Sequence, residues 1–310
     1  MKIIKRIIFA VLLVGGSLGL VSCDQSMRMP KVQGKLTEYT STALESKLDR
    51  LDFSVKDEHI LNTLFNLKSK EEVNGETKIY DTSYISHYNS KNEDTWIDYS
   101  YKIQENEGVL DGKISAFGVP TSTYFDINQE SNDEFDKDSG TGIDVNNGKY
   151  KTNIRLTHFL SNFGLIGGEY ISEFEAPSPF TNVVLDLHKY NYKGLKLYEN
   201  DNFFSIEIKI TKADLTESRE EIINLFEYYF IGNSIDVEKF DYKIILVFEK
   251  NKIVELGIEA VVLGESKMFD GTIIKEEKDI KLIQKYVDST PNEITYNEYE
   301  EIEGLNEILR

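Results

Sequence analysis

The spacing of hydrophobic residues changes along the chain, from a helical period to a period of two. Over residues 36–51 the apolar side chains recur every three or four positions, which predicts an amphipathic helix. Ser54 and Asp57 resemble the capping start of a second helix. The apolar face of that helix would consist of Ile60, Leu61, Leu64 and Phe65. Two short helices are therefore expected before the alternating region begins.

From Thr77 onward, apolar and polar residues alternate, which predicts antiparallel strands with one buried face. Residues 97–103 form the clearest example, and the turn at 105–108 leads into a returning strand. The dipeptide Lys250-Asn251 joins two long alternating segments and predicts a tight hairpin. The predicted strands are residues 97–103, 109–117, 123–127, 183–188, 195–198, 206–210, 242–249, 253–263 and 271–280.

Two further helices interrupt these strands, one near Leu156–Phe163 and one near Ile222–Phe230, preceded by a capping-like Asp214. Helices that precede and interrupt an antiparallel sheet predict an α+β fold, in which a large curved sheet packs against a few helices. We assign this domain to residues 36–292, with an acidic tail at 293–310. Two prolines near 170–180 leave open whether it is one unit or two halves.

The segment 128–149 is polar, rich in glycine and acidic, and it predicts a long loop. Four carboxylates within it are candidate calcium ligands: Asp133, Asp136, Asp138 and Asp144. The EF-hand pattern is not met, because a loop starting at Asp136 has Thr141 where glycine is required and Asn147 where glutamate is required. A solvated loop is the preferred interpretation, and no metal or cofactor is predicted.

Net charge excludes one class of partner. The formal charge is −19, and without the three cations Lys2, Lys5 and Arg6 it would be −22. A surface this acidic repels phosphate backbones, so we expect no nucleic-acid binding. The chain contains a single cysteine, Cys23, which leaves no second thiol for a disulfide.

The N-terminus has the order of a secretory signal: basic residues within 1–6, an apolar run at 7–14, and then small residues. The apolar run is shorter than the ~20 residues that a spanning helix needs. Leu20-Val21-Ser22-Cys23 follows, and it resembles the lipobox that ends the signal peptides of bacterial lipoproteins. That resemblance implies that Cys23 receives a diacylglycerol and becomes the first residue after residues 1–22 are removed.

Two acyl chains give stable membrane anchoring, whereas one gives only marginal binding. The expected location is therefore the extracytoplasmic face of the cell membrane, whether the envelope has one membrane or two. Residues 23–35 are polar after the cysteine and are interpreted as a lipidated N-terminus and tether.

The order of helices, sheet and closing hairpin 242–264 loosely resembles the LolA-like and LppX-like envelope lipoproteins. That resemblance implies a curved sheet over helices around an apolar cavity, and no site residue carries over from it. It favours a non-enzymatic lipoprotein that binds a lipid or other apolar ligand between sheet and helices. The alternative is a structural or protein-interaction lipoprotein of the envelope with no small-molecule ligand.

A hydrolase is the third hypothesis, and it would require an assembled site. After residues 1–22, which contain Gly15-Gly16-Ser17-Leu18-Gly19, no G-x-S-x-G motif occurs. The chain has no H-E-x-x-H, P-loop or C-x-x-C motif, and the sequence Gly164–Glu169 lacks the P-loop lysine. The histidines are scattered along the chain and are interpreted as structural or surface residues: His59, His87, His158 and His188. Trp96 is interpreted as a packing residue of the sheet.

Overall fold

The structure is a computed structural model, and it describes residues 27–53, 58–134, 146–156, 178–215, 234–268, 270–287 and 300–301. Within these ranges the chain forms one sheet of thirteen strands and three short helices. No helix among the described residues is long and apolar enough to cross a bilayer.

The strands follow one another along the chain in two groups separated by α2. The first group is β1 (Lys35–Leu36), β2 (Ile60–Val73), β3 (Glu76–Asn89), β4 (Asp94–Glu105), β5 (Gly108–Val119), β6 (Ser122–Ser131) and β7 (Gly148–Thr152). The second group is β8 (Leu195–Glu199), β9 (Phe203–Thr211), β10 (Ser234–Glu249), β11 (Lys252–Lys267), β12 (Ile273–Val287) and β13 (Glu300–Glu301). The helices are α1 (Ser41–Leu48), α2 (Ser178–Lys189) and α3 (Lys212–Leu215).

The spatial order of the strands is β1-β8-β9-β10-β11-β12-β2-β3-β4-β5-β6-β7-β13. All neighbours are antiparallel except β13, which pairs parallel to β7. Apart from the two-residue strands β1 and β13, which pair with β8 and β7, the two groups of strands meet where β12 pairs with β2. This pairing covers the whole of β2, from Ile274 opposite Val73 to Val287 opposite Ile60. We call this pairing the seam, since it makes one sheet out of the two groups.

The antiparallel register places residues of successive strands side by side on the same face of the sheet. One such row consists of Ile258, Leu282, Phe65, Tyr84, Tyr99, Ile114 and Ile127. These side chains are all buried, and they belong to the main hydrophobic core. We call the face that carries them the inner face and the opposite one the outer face. Side chains alternate between the two faces because successive Cβ atoms of a strand point in opposite directions.

Helix α1 packs on the inner face and contacts α2. Thr40 caps it, because its side-chain oxygen accepts a hydrogen bond from the Ala43 backbone N–H at 3.3 Å. Leu44 and Leu48, which lie one turn apart, are both buried in the core. The helix predicted over residues 36–51 is therefore confirmed at 41–48, whereas Leu36 belongs to β1 and is exposed.

The fold is mostly β, and the expected α+β class is corrected accordingly. Strands hold most of the described residues, whereas the helices occupy three short ranges. The predicted large antiparallel sheet with few helices is confirmed. The error in class arose mainly from one segment that imitates a helix.

That segment is residues 60–65, predicted to be helical and found in β2. Leu61 and Phe65 point into the main core on the inner face, whereas Leu64 is buried on the outer face against Met27 and Ile283. A strand that is covered on both faces loses the polar half of its alternation. The spacing of its apolar residues then coincides with that of an amphipathic helix.

The opposite error occurred at 183–188, which was predicted to be a strand and lies in helix α2. Pro179 is the second residue of this helix, in the first turn, where a missing N–H costs nothing. Val184 and Leu187, three residues apart, are its core contacts. The β-branched pair Val183-Val184 imitated a strand, but the buried residues follow the helical period.

The other hairpins were predicted well, because their alternation is regular. Strands β4, β5, β6, β8, β9, β10 and β11 contain the predicted segments and extend beyond them. Strand β12 begins at Ile273, two residues after the start of the predicted 271–280, and continues to Val287. Lys250 and Asn251 form the predicted two-residue turn, with φ of 47° and 71°. Positive φ at both central residues matches the right-handed twist of the flanking strands. The helices predicted near 157–163 and 222–230, and most of the tail 293–310, lie outside the described residues.

The predicted tether is corrected from Met27 onward, because residues 27–35 lie across the outer face of the sheet. Met27 is only 5% exposed and packs with Leu64 and Ile283 beside the seam. Pro30 and Met29 lie directly over Gly257, where a side chain would clash with both. Lys35 then pairs with Glu199 as part of edge strand β1. We call residues 27–35 the strap.

We predict that Gly112→Ala destabilises the domain by about 1–3 kcal/mol. Gly112 lies opposite Tyr101 on the inner face, and the Tyr101 ring covers its Cα so closely that an added Cβ would overlap the ring. Tyr101 cannot swing away freely, because it is buried and its Oη donates to Gln129 Oε1 at 2.7 Å. Urea unfolding measures the difference. Lys113→Ala, at the exposed neighbouring position, is the control with little change. An alanine variant as stable as the parent would contradict this packing.

Candidate functional site

A row of charged side chains crosses the inner face near the β2–β3 turn. The register places Glu276 opposite Glu71, Glu71 opposite Lys78, and Lys78 opposite Glu105. Each of these residues occupies an inner-face position of its strand, and at the other inner-face positions the side chains form the core. We call Glu71, Lys78, Glu105 and Glu276 the charged row, and Lys278 lies one step closer to the core on β12. Charges at inward positions need partners, because burial of an isolated charge is costly.

Glu276 is the most deeply buried charge in this row, with 2% exposure. Lys278 Nζ lies 2.9 Å from its Oε1, and Ser266 Oγ donates to its Oε2 at 2.9 Å. On the other side of the row, Lys78 Nζ lies 2.5 Å from Glu105 Oε1. Two lysines thus neutralise two of the three glutamates, and Glu71 remains between them as the third.

Glu71 has a perturbed titration, as expected for a carboxylate in this place. Burial raises its pKa, Lys278 and Lys78 lower it, and the neighbouring Glu276 raises it, with a net increase. The pKa of Lys78 is also raised, because the hydrogen bonds to Glu105 and Tyr80 outweigh the effect of burial, which lowers it. Like charges directly opposite one another on a sheet are destabilising. The row is therefore retained at some cost to stability.

Two hydroxyl groups next to the charged row have no hydrogen-bond partner among the described residues. They are Ser69 Oγ and Thr82 Oγ1, in side chains that are 4% exposed. Ser69 lies opposite Lys278, and Thr82 lies opposite Leu67 and Tyr101. Buried polar groups are nearly always hydrogen-bonded, so an unsatisfied one calls for water or a ligand. These oxygens mark the place where the inner face changes from apolar to polar.

Aromatic rings line the inner face on the core side of the Ser69 and Thr82 hydroxyl groups. Phe65 stacks on Tyr84 with ring centroids 5.4 Å apart, and Tyr84 stacks on Tyr99 at 6.0 Å. From Phe65 to Glu71 is six residues along β2, a distance of roughly 20 Å at about 3.3 Å per residue. The inner face thus passes from stacked rings through hydroxyl groups to charges within the length of one strand.

An open groove of about 460 Å³ lies on the outer side of the same end of the sheet. It is formed by the β2–β3 and β11–β12 turns and is lined by Glu72, Asn74, Gly75, Glu265, Gly271, Thr272, Ile273 and Lys275. Its lining is separate from the apolar interior that the LolA-like resemblance implies as a cavity.

The candidate calcium ligands fall mostly outside the described residues. Asp133 is exposed in the turn after β6, and Asp136, Asp138 and Asp144 lie outside the described ranges, as does Cys23. Among the described residues, no group of three or more histidine, cysteine, aspartate or glutamate side chains could hold a metal ion.

The described histidines lie in three different places. His59 is 7% exposed, rather than at the surface, and its ring contacts Tyr88 and Tyr286 on the inner face. His87 lies on the outer face, where its Nδ1 contacts Asn62 Oδ1 and its ring stacks on Trp96 at 5.2 Å. Burial lowers the pKa of His87 to about 4, so it is neutral at pH 7. His188 lies in α2, and His158 is outside the described residues.

Comparison with known proteins does not assign this chain to a family. No family model matches the chain, and no curated protein matches it. A crystal structure of a β-barrel-like protein of domain of unknown function DUF1849, from Brucella abortus, overlaps with 74% of this chain and 98% of that chain, at 9% identity and a TM-score of 0.21. The translocator domain of the autotransporter NalP from Neisseria meningitidis overlaps with 78% of this chain and 92% of its own, at 7% identity and a TM-score of 0.19. Both TM-scores are too low to establish a shared fold or function.

Sequence reasoning missed the charged row, although a signal was present. In β12 the inward positions read Ile274, Glu276, Lys278, Ile280 and Leu282, so two charges replace apolar residues within an otherwise regular alternation. In β2 the inward series from Phe65 passes through Leu67 to the polar Ser69 and Glu71 before Val73. Charged residues at positions where the alternation predicts apolar ones, in two strands, indicate a polar region on the inner face. The sequence does not show that these two strands pair with each other.

We predict that Lys278→Met destabilises the domain by about 3 kcal/mol, because it leaves Glu276 buried without its cation. The double variant Glu276→Gln/Lys278→Met should recover part of this loss, since it removes the uncompensated charge as well. Lys281→Met is the matched control, because Lys281 forms an outer-face pair with Glu259 at 3.7 Å and should contribute about 1 kcal/mol or less. Chemical denaturation at pH 7 gives the three values. Equal losses for Lys278→Met and Lys281→Met would show that the Glu276–Lys278 pair is not buried.

Proposed function

We propose that the chain is a membrane-anchored extracytoplasmic lipoprotein that acts by binding an amphipathic ligand on the inner face of its sheet. The ligand's apolar part would contact the stacked aromatic rings, and its polar part would reach the charged row. The proposal has two parts, the anchor and the ligand, which rest on different observations and are tested separately.

The anchor rests on the order of residues at the N-terminus. A basic segment, an apolar run and Leu20-Val21-Ser22-Cys23 follow one another as in bacterial lipoprotein signal peptides. Cysteine is needed because its sulfur is the nucleophile that accepts the lipid. The strap begins at Met27, so only a short segment separates the acylated cysteine from the folded domain.

The proposal of a ligand rests on one observation: the buried hydroxyl groups of Ser69 and Thr82 have no hydrogen-bond partner among the described residues. They lie between the aromatic rings and the Glu276–Lys278 ion pair, at the boundary that an amphiphile would cross. The charged row and Lys278 together hold three glutamates and two lysines, so they suit a head group that donates hydrogen bonds. The described histidines lie apart from this row, which favours binding over catalysis.

One observation favours the alternative, a structural or protein-interaction lipoprotein without a small-molecule ligand. The buried side chains of the inner face form one contiguous hydrophobic cluster, so the apolar residues are already in contact with one another. An apolar ligand would have to displace some of these contacts. The ligand test below therefore decides between the two functions.

For the anchor, we predict that the full chain produced in a bacterium is recovered as a mature protein whose first residue is Cys23 carrying a diacylglyceryl group. Mass spectrometry of the N-terminal peptide reads this directly. In Cys23→Ser the added lipid mass should be absent, because a hydroxyl group does not replace the thiolate as nucleophile. Ser26→Ala is the control, since it lies downstream of the cleavage position. An unmodified cysteine in the mature wild-type chain would overturn the anchor.

For the ligand, we predict that lipidated wild-type protein retains a defined amphiphile when it is extracted from membranes, as measured by native mass spectrometry. Ser69→Ala/Thr82→Val should retain less, yet unfold at an equal or higher denaturant concentration, because unsatisfied hydroxyl groups have been removed. Ser83→Ala, on the outer face, should retain the wild-type amount. Wild-type protein without any amphiphile would contradict the ligand and support the interaction alternative.

A further inference from the structure

We propose that the strap and the outer face around it lie against the membrane, and that anionic lipid head groups bind the basic side chains of the strap. This inference rests on the proposed lipid anchor and deepens it, because it states which face of the domain the anchor holds toward the bilayer. It is carried by chain length, by the packing of the strap and by its charge.

Chain length limits where the anchor can be. Cys23 precedes Met27 by four residues, which span at most about 14 Å when fully extended. Met27 is fixed on the outer face beside the seam by Leu64 and Ile283, and it is 5% exposed. The acyl chains therefore enter the bilayer within about 14 Å of this point on the outer face.

The strap keeps its path over several strands, so the attachment point is not free to move around the domain. Met29 and Pro30 cover Gly257 of β11. The Gln33 backbone N–H donates to Ser205 Oγ of β9 at 3.0 Å. The chain then enters β1, where the Thr37 N–H donates to the Leu197 carbonyl at 2.8 Å. Only beyond this edge does it reach the inner face and α1.

The charge of the strap is opposite to that of the chain. Residues 27–35 contain Arg28, Lys31 and Lys35 and no acidic residue, in a protein of formal charge −19. Arg28 and Lys31 are exposed, whereas Met27 before Arg28 and Pro30 before Lys31 are buried against the sheet. Apolar residues thus hold the strap and cations point outward. Each lysine or arginine near an anionic bilayer contributes about 1 kcal/mol of attraction.

The rest of the outer face is compatible with a polar membrane surface. Several of its cross-strand lysines are paired with acids, as in Lys285–Glu255 at 2.6 Å and Lys68–Asp81 at 3.5 Å. Each such pair is locally neutral, so it neither attracts nor repels a head group. Arg28 and Lys31 therefore supply the attraction, and the acyl chains supply most of the affinity.

Trp96 provides the measurement, because it is the chain's single tryptophan and lies on the outer face beside His87. It is two strands from β2, about 10 Å from the strap's docking point at 4.7–4.9 Å per strand. Lipidated full-length protein is reconstituted into phosphatidylcholine vesicles, with or without phosphatidylglycerol, that carry a dansyl head-group acceptor. Energy transfer from Trp96 is compared with transfer in the double variant Trp96→Phe/Tyr190→Trp, which moves the tryptophan to the inner-face side of the sheet. Tyr190 suits this purpose because it is exposed and directly follows α2.

We expect greater transfer from Trp96 than from the relocated tryptophan, and a larger difference when phosphatidylglycerol is present. Arg28→Gln/Lys31→Gln should abolish the effect of phosphatidylglycerol, whereas Lys189→Gln/Lys193→Gln, the same charge change near Tyr190, should leave it unchanged. Equal or greater transfer from the relocated tryptophan overturns the proposed orientation, and no dependence on Arg28 and Lys31 overturns the head-group contact. Mass spectrometry of Cys23 in the same samples separates these outcomes from failure of the anchor.

Discussion

The pairing of β12 with β2 is the interaction on which the rest of the structure depends. These strands come from opposite ends of the described chain, and they are matched residue by residue over the whole of β2. Without this seam the chain would form two separate sheets, each with a long unpaired edge, which is a site for aggregation. Pairings of such sequence separation are formed at a high entropic cost, so folding is expected to be slow. Both features argued above lie at the seam, on its two faces.

On the inner face the seam brings Glu71 and Glu276 together, a contact that local sequence cannot encode. Each glutamate alone occupies an inward position at the end of an ordinary strand. The pair needs Lys278 and Ser266 to tolerate burial, and both are supplied by β12 and its neighbour β11. An apolar pair would be easier to bury at this place, because well-packed hydrophobic residues often match or exceed a buried ion pair in stability. The proposed polar role for this end of the inner face would explain why charges occupy it.

The extent to which the sequence predicted the fold depends on how many faces of each strand are covered. Strands such as β4 have one buried face, so Ile97, Tyr99 and Tyr101 alternate with polar residues and were recognised. In β2 the strap covers Leu64 on the second face, and the alternation disappears there. The strap itself has a polar composition and was interpreted as a tether, because nothing local shows that Met27 and Pro30 are buried. The charged row was missed for the same reason, since it exists only after long-range pairing.

The two faces of the sheet divide the proposed roles between them. The strap crosses the outer face and would connect it to the proposed anchor. The charged row and the Ser69 and Thr82 hydroxyl groups lie on the inner face, which would point away from the bilayer in the proposed orientation. In that orientation an amphiphile on the inner face would enter and leave at the end of the sheet where the charged row lies. Both proposals thus depend on the same seam, because the strap packs on its outer side and the charged row lies on its inner side.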